Sequence, residues 1–270
     1  MENFTLTKGL KKLNCDYLGG TKHSAKMMHS FNKGTLTYCL YLAPSNMSGY
    51  NVCPNDKYCK DFCLNSSGRN KGDIIAHGFE HSKINKSRIK KTKFFYEDRE
   101  TFMQILIHEI NRAKRKAEKD NLEFSIRLNG TSDLSLLVFK YLGKNILEWF
   151  PEVQFYDYTK IATRTKLQEI YPNYDITLSY NGHNLEECLE YLNKGGKVAV
   201  VFDMKQMPKK WHGYNVVCGD NYDMRYIDPK SSIIGLTYHK TAKDYSNDME
   251  YFEKLKYTKF IVKDDEYCEF

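Results

Sequence analysis

The sequence predicts an α/β fold, an incomplete (β/α) barrel of mainly parallel strands with a three-cysteine loop after its first strand. Runs of β-formers alternate with amphipathic stretches, which implies right-handed crossovers and a parallel sheet. Some of these runs alternate apolar and polar residues, so they would form strands with one polar face. Many of them end in polar residues, and the carboxyl ends of strands are where α/β folds build their sites. A doubly wound open sheet is the alternative architecture, because nothing in the sequence orders the strands.

Thr35 to Leu42 reads as the first strand, stopped by Ala43-Pro44. Thr101 to Lys119 places Phe102, Ile105, Leu106 and Ile110 at helical spacing. Phe124 to Asn129 is a second strand, and Leu134 to Phe150 reads as helix. A third strand spans Val153 to Tyr158, followed by a short helix from Thr163 to Ile170. A fourth strand covers Asp175 to Asn181. The helix from Leu185 to Asn193 stops before Gly195-Gly196 and leads to a fifth strand, Lys197 to Asp203. Tyr214 to Gly219 and Ile233 to Tyr238 are further strands. In the second strand Ser125, Arg127 and Asn129 share a face, and in the fourth Thr177, Ser179 and Asn181 do. A parallel strand covered by helices on both sides should be apolar on both faces. These polar faces therefore point into a barrel holding a polar ligand, or else belong to exposed edge strands.

With 270 residues, 41% hydrophobic and 28% charged, the chain suits one α/β domain, with extensions at 1–34 and 241–270. No run approaches the roughly 18 apolar residues of a membrane-spanning helix, and Met1 to Leu13 lacks the apolar core of a secretory signal, so a cytoplasmic protein is expected. The net charge of +7 favours an anionic partner, a nucleotide or nucleic acid. Oligomeric state is not legible.

Eight cysteines are too few and too scattered for a disulfide scaffold, but Cys53, Cys59 and Cys63 form a C-x5-C-x3-C cluster. Three thiolates in so short a loop can converge on one metal. Zinc would need a fourth ligand, which His77 or His81 could supply if Asp73 to Lys83 were helical. An iron–sulfur cluster could take three cysteines and leave one iron open. Cys15, Cys39, Cys188, Cys218 and Cys268 fit packing or surface positions.

Leu42-Ala-Pro, Ser48-Gly, Cys53-Pro, Cys63-Leu, Ser67-Gly-Arg69, Arg127-Leu-Asn-Gly-Thr-Ser-Asp133, Val153 to Lys160, Val198 to Phe202 and Gly219-Asp220 resemble the phage gene 88 protein family over about residues 35 to 240. That resemblance implies a phage origin more than an activity. More distantly, the three-cysteine loop after the first strand, with Phe62 before Cys63, resembles radical S-adenosylmethionine (SAM) enzymes. The second resemblance implies a 4Fe–4S cluster on Cys53, Cys59 and Cys63, with SAM held by Asn129, Thr131, Ser179 and Asn181. The spacing departs from that family's C-x3-C-x2-C. Zinc is the alternative cofactor.

Asp133, Asp157, Lys160 and Asp203 are the candidate catalytic residues, since carboxylates and amines at strand ends can move protons or attack. Asp133 could alternatively cap a helix beginning at Leu134. Tyr156, Asp157, Tyr158 and Lys160 together would suit a flat heterocycle. Asp220, Asp223 and Asp228, with Arg225 between, form a further acidic group. The basic run Lys83, Lys86, Arg88, Lys90, Lys91 and Lys93, followed by aromatics, would suit a phosphate backbone or a solvated surface. His108 reads as structural. Three functions follow: a radical-SAM-like enzyme on a nucleotide or nucleic acid; a guanine/deazaguanine transglycosylase with an aspartate nucleophile and structural zinc; or a zinc-stabilised module binding nucleic acid or a host protein.

Overall fold

The computed structural model describes residues 4–21, 25–263 and 265–270; parts of both expected extensions, residues 1–3, 22–24 and 264, lie outside the described residues. The strands are β1 (Thr35–Cys39), β2 (Glu123–Arg127), β3 (Gln154–Thr159), β4 (Tyr174–Ser179), β5 (Lys197–Phe202), β6 (Lys210–Trp211), β7 (Tyr214–Cys218), β8 (Ser232–Thr237), β9 (Ile261–Val262) and β10 (Cys268–Glu269). They form one mixed sheet in the order β1-β2-β3-β4-β5-β8-β7-β6-β10, parallel except at β6. The first five strands lie in chain order, as in a (β/α) barrel. Among the described residues no pairing joins β1 to the far edge to close one.

β5 pairs with β4 through Lys197–Ala199, then with β9 through Val201–Phe202. β9 thus fills the gap where β4 and β5 part. Gly182, just past β4, permits this wedge: with φ +90, a Cβ there would sit 2.7 Å from the Lys259 carbonyl carbon. Residues 241–262, expected as an extension, are therefore knitted into the sheet.

The helices named below are α1 (Leu6–Leu13), α2 (Ala25–Asn32), α3 (Gly68–His77), α4 (Lys83–Glu97), α5 (Arg99–Lys119), α6 (Ile146–Trp149), α7 (Leu167–Ile170), α8 (Leu185–Asn193) and α9 (Met249–Tyr257). α5 buries Phe102, Ile105, Leu106 and Ile110 as its spacing predicts, against Tyr38, Ile126 and Phe155 of the sheet's outer face. The buried Glu109 carboxylate on this helix accepts hydrogen bonds from the Leu18 and Gly19 amides and the Tyr38 hydroxyl, binding the N-terminal segment to β1.

The helix expected over Leu134 to Phe150 is replaced by a 3-10 turn at Leu136–Val138, a hairpin pairing Lys140–Tyr141 with Lys144–Asn145, and α6. Leu142 and Gly143 both take positive φ there, and Asn145 with Glu148 forms a capping box, so local turn chemistry overrides the apolar spacing.

β2 and β4 are interior strands, which disposes of the edge-strand explanation for their polar faces. Their inner face is covered by protein. Arg127 forks onto Asp223 at 3.0 and 2.9 Å, the Tyr156 hydroxyl donates to Asp223 at 2.8 Å, and Lys197 reaches Asp175 at 2.7 Å and the Arg225 carbonyl. Arg225, wholly buried, lies 3.1 Å from Asp228. Segment 222–228 thus plugs the polar face, and Asp223 and Asp228 of the further acidic group, with Arg225 between them, form buried ion pairs.

Candidate functional site

At the C-terminal ends of β1 to β5 the strand-end loops converge. The β1 loop begins where the Ala43 amide donates to Thr92 of α4 at 2.8 Å, and it meets the β2 loop where the Asp133 amide donates to the Val52 carbonyl at 2.8 Å. Gly130 permits this crossing, since a Cβ there would lie 2.6 Å from the Tyr41 ring. Asn55 then donates to the Lys160 carbonyl at 3.0 Å, tying the cysteine loop to β3.

Cys53, Cys59 and Cys63 are partly exposed free thiols on this loop. The Cys53 thiol lies 3.9 Å from the Thr131 carbonyl, and the Asn65 amide donates to the Cys63 sulfur at 3.5 Å. Burial pushes all three thiol pKa values up, that of Cys53 to about 12. Among the described residues no three His, Cys, Asp or Glu side chains stand as a metal-ligating group.

The Lys160 ammonium lies within electrostatic reach of all three sulfurs and of Asp133. Burial would depress its pKa, but Cys59, Asp133, Cys53 and Cys63 together hold it above the usual lysine value. Arg88, on α4, also acts on Cys63; burial lowers its pKa, and its guanidinium donates to Asn65 and lies 5.1 Å from the Tyr41 ring centre. Asp133 pairs instead with Arg164 at 2.7 Å, so among the described residues neither Lys160 nor Arg88 forms an ion pair with a carboxylate.

A buried amide network sets the Cys63 side of the loop. Asn65 and Asn70 donate to the Asn85 side-chain oxygen at 3.0 and 2.8 Å, and Ser82 donates to Asn70 at 2.7 Å. From the other side Phe62 packs on Tyr251 and Phe260, their ring centres 5.8 and 6.2 Å away, while Asp61 pairs with Lys243 and Lys254.

Several expected ligand residues serve these loops instead. Asn129 donates through its backbone and side chain to Asp157, at 3.0 and 3.2 Å, and accepts from Ser132 and the Leu134 amide. Asp133 accepts from Thr159, the Lys160 amide and Arg164 rather than capping a helix. Thr131 donates to the Leu42 carbonyl, and Asn181 accepts from the His183 amide. Ser179 is buried on the inner face, and Asp203 is exposed. Burial raises Asp157 to about 7, but strand alternation puts it on the face opposite Tyr156, Tyr158 and Lys160, so these four do not form one site.

Gly78, with φ +84, ends α3, so His77 and His81 share no helix face; His77 bonds to Asp73 at 3.1 Å. The basic run on α4 is likewise divided: Lys91 is buried against the Tyr17 ring and Arg88 turns inward, while Lys83, Lys86, Lys90 and Lys93 are exposed. Sequence reasoning missed the asparagine network and the stacking of Tyr58 on His183, 3.8 Å apart. Both join residues distant in sequence, and only the recurring asparagines at 65, 70 and 85 hinted at the first.

The family model described as Gene product 88 matches residues 8–250. The chain belongs to that family. The match ends within α9, whereas packing against the cysteine loop continues to Phe260. No curated protein and no solved structure matches the chain, so the likeness to radical SAM enzymes gains no support from either comparison. No helix among the described residues is long and apolar enough to cross a membrane.

Proposed function

We propose that this Gene product 88 family member is a metal–thiolate enzyme, radical-SAM-like, with an iron–sulfur cluster on Cys53, Cys59 and Cys63 and a nucleotide or nucleic acid as substrate. One observation carries the reading. Lys160 and Arg88 are half-buried cations that form no ion pair with a carboxylate among the described residues, and thiols are prominent around them: Cys59, Cys53 and Cys63 with Asp133 near Lys160, and Cys63 and Cys39 with Tyr41 near Arg88. A buried charge without a counter-charge is costly. Three metal-bound thiolates would supply that counter-charge, and protonated thiols do not. The donor types suit the group, with soft sulfur ligands, a backbone N–H on one sulfur, and an aromatic wall of Phe62, Tyr251 and Phe260 to limit water. Among the described residues, however, the three sulfurs do not stand together as a ligand group, so the loop would have to draw them in around the cluster.

A bound cluster with an open iron position would supply one-electron chemistry to SAM. The chain's own part is to hold three sulfurs, balance their charge, and keep the loop against the strand ends through Asn55, Thr131 and the Asn65 network. Of the expected ligand and catalytic residues, Asp203 is exposed, while Ser179 is buried on the inner face. The transglycosylase reading needs a free carboxylate. Asp133 and Asp157 are already engaged, leaving Asp203, so the iron–sulfur reading is preferred.

Anaerobic purification with iron and sulfide reconstitution tests the proposal. About four irons per chain and a broad visible absorbance are expected, both lost in Cys53→Ser, Cys59→Ser and Cys63→Ser. A folded chain that binds zinc but no iron would move the reading to structural zinc. One that binds neither metal would end it.

A further inference from the structure

The surface around the cysteine loop alternates aromatic rings with lysines. Lys57 lies 5.0 Å from the Tyr58 ring, Lys71 5.1 Å from Tyr245, and Lys256 5.2 Å from Tyr257. Tyr245 is 60% and Tyr257 73% exposed, a large apolar area to leave in water. The three segments that carry these pairs are contiguous. The 3-10 turn at Ala242–Tyr245 packs on α3, Tyr251 packs on Phe62, and Asp61 pairs with Lys243 and Lys254. On the β4 side Tyr58 stacks on His183 at 3.8 Å and 27°, and the His183 ring is exposed, so another flat ring can extend the stack.

From this rim we infer a binding surface for single-stranded polynucleotide, which would deliver a nucleotide to the thiol site. The inference rests on the substrate class proposed above. Exposed rings stack with bases of any sequence, while lysines beside them take the phosphates. A duplex hides its base faces and would gain only the charge contacts. The net charge of +7 supplies long-range attraction.

Fluorescence anisotropy with labelled oligothymidylate and oligouridylate of roughly twenty nucleotides, and a duplex of the same length, tests this on the full chain. Either single strand is expected to bind at least about tenfold more tightly than the duplex, and more weakly as salt rises. Tyr58→Ala and His183→Ala should each weaken single-strand binding about tenfold, with melting temperatures reporting that the fold is kept. The Cys53→Ser/Cys59→Ser/Cys63→Ser variant should still bind, since the rim contains none of the sulfurs. Equal affinity for duplex, no binding at low salt, or unchanged affinity in both ring variants would overturn the inference. Iron content is measured on the same samples, so loss of this surface and loss of the metal reading are separate results.

Discussion

Midway along the inner face of the sheet, Arg127, Lys197 and Arg225 each meet a carboxylate, Asp223, Asp175 and Asp228, at 2.9, 2.7 and 3.1 Å. At the C-terminal end of that face, Arg88 and Lys160 form no ion pair among the described residues and lie within electrostatic reach of the loop's thiols. The first group closes on itself and seals the interior. The second is left electrically incomplete. Both groups are basic side chains near the same face of the sheet, so composition does not separate them; only the partner does. A closed group is part of the fold's own support, and the open one is where the proposed cluster would supply the missing charge.

The largest effect should come from opening the closed group. Asp223→Ala leaves Arg127 buried without its partner, and should cost about 3–5 kcal/mol in denaturant unfolding. A change below about 1 kcal/mol would mean that the plug does not support the sheet.

Asp157 is the reverse case, a buried carboxyl that forms no ion pair among the described residues. Its pKa of about 7 lies above the usual carboxylate value, so between about pH 4 and 7 the folded chain holds the proton that the unfolded chain releases. That stability is present at low pH and lost as pH rises through 7, by a few kcal/mol. Asp157→Asn should flatten the dependence; a slope of unchanged size in the variant would show that other groups set it.

Lys160→Met removes an open cation. Unlike the Asp223 change, it should leave the metal-free chain as stable as before, within about 1 kcal/mol, while metal affinity falls about tenfold by competition with a chelator. Marked destabilisation with unaltered affinity would erase the contrast between the two groups. The smallest effect is expected at a neutral contact of the closed region. Thr37→Val takes away the 2.9 Å hydrogen bond with buried Ser125 and should cost about 1 kcal/mol.

The regular repeat was legible because each unit carries its own period: α8 has the expected bounds, β2 to β5 fall within two residues of theirs, and β1 ends three residues early at Cys39. The polar faces of β2 and β4 were also legible, but not what covers them, because Asp223 and Arg225 sit in a loop without any period. The cysteines announced themselves by spacing. Arg88 did not: its neighbours Lys86 and Lys90 are solvated, and only the turn of α4 directs it inward to Asn65. Asn129 reads as a cofactor ligand and Asp133 and Asp157 as catalytic residues because polar residues at strand ends look alike in sequence, whether they meet a substrate or one another.

The packing of Phe62 on Tyr251 and Phe260 also bears on how the protein is made. A chain emerging from the ribosome exposes its cysteines well before Tyr251 and Phe260, the aromatic wall behind them, are translated, and β9 enters the sheet later still. Until those residues emerge, the cysteine loop lacks the packing of Phe62 on Tyr251 and Phe260. A nascent chain stalled before residue 251 would therefore expose Cys53, Cys59 and Cys63 to an alkylating reagent more fully than the folded protein does.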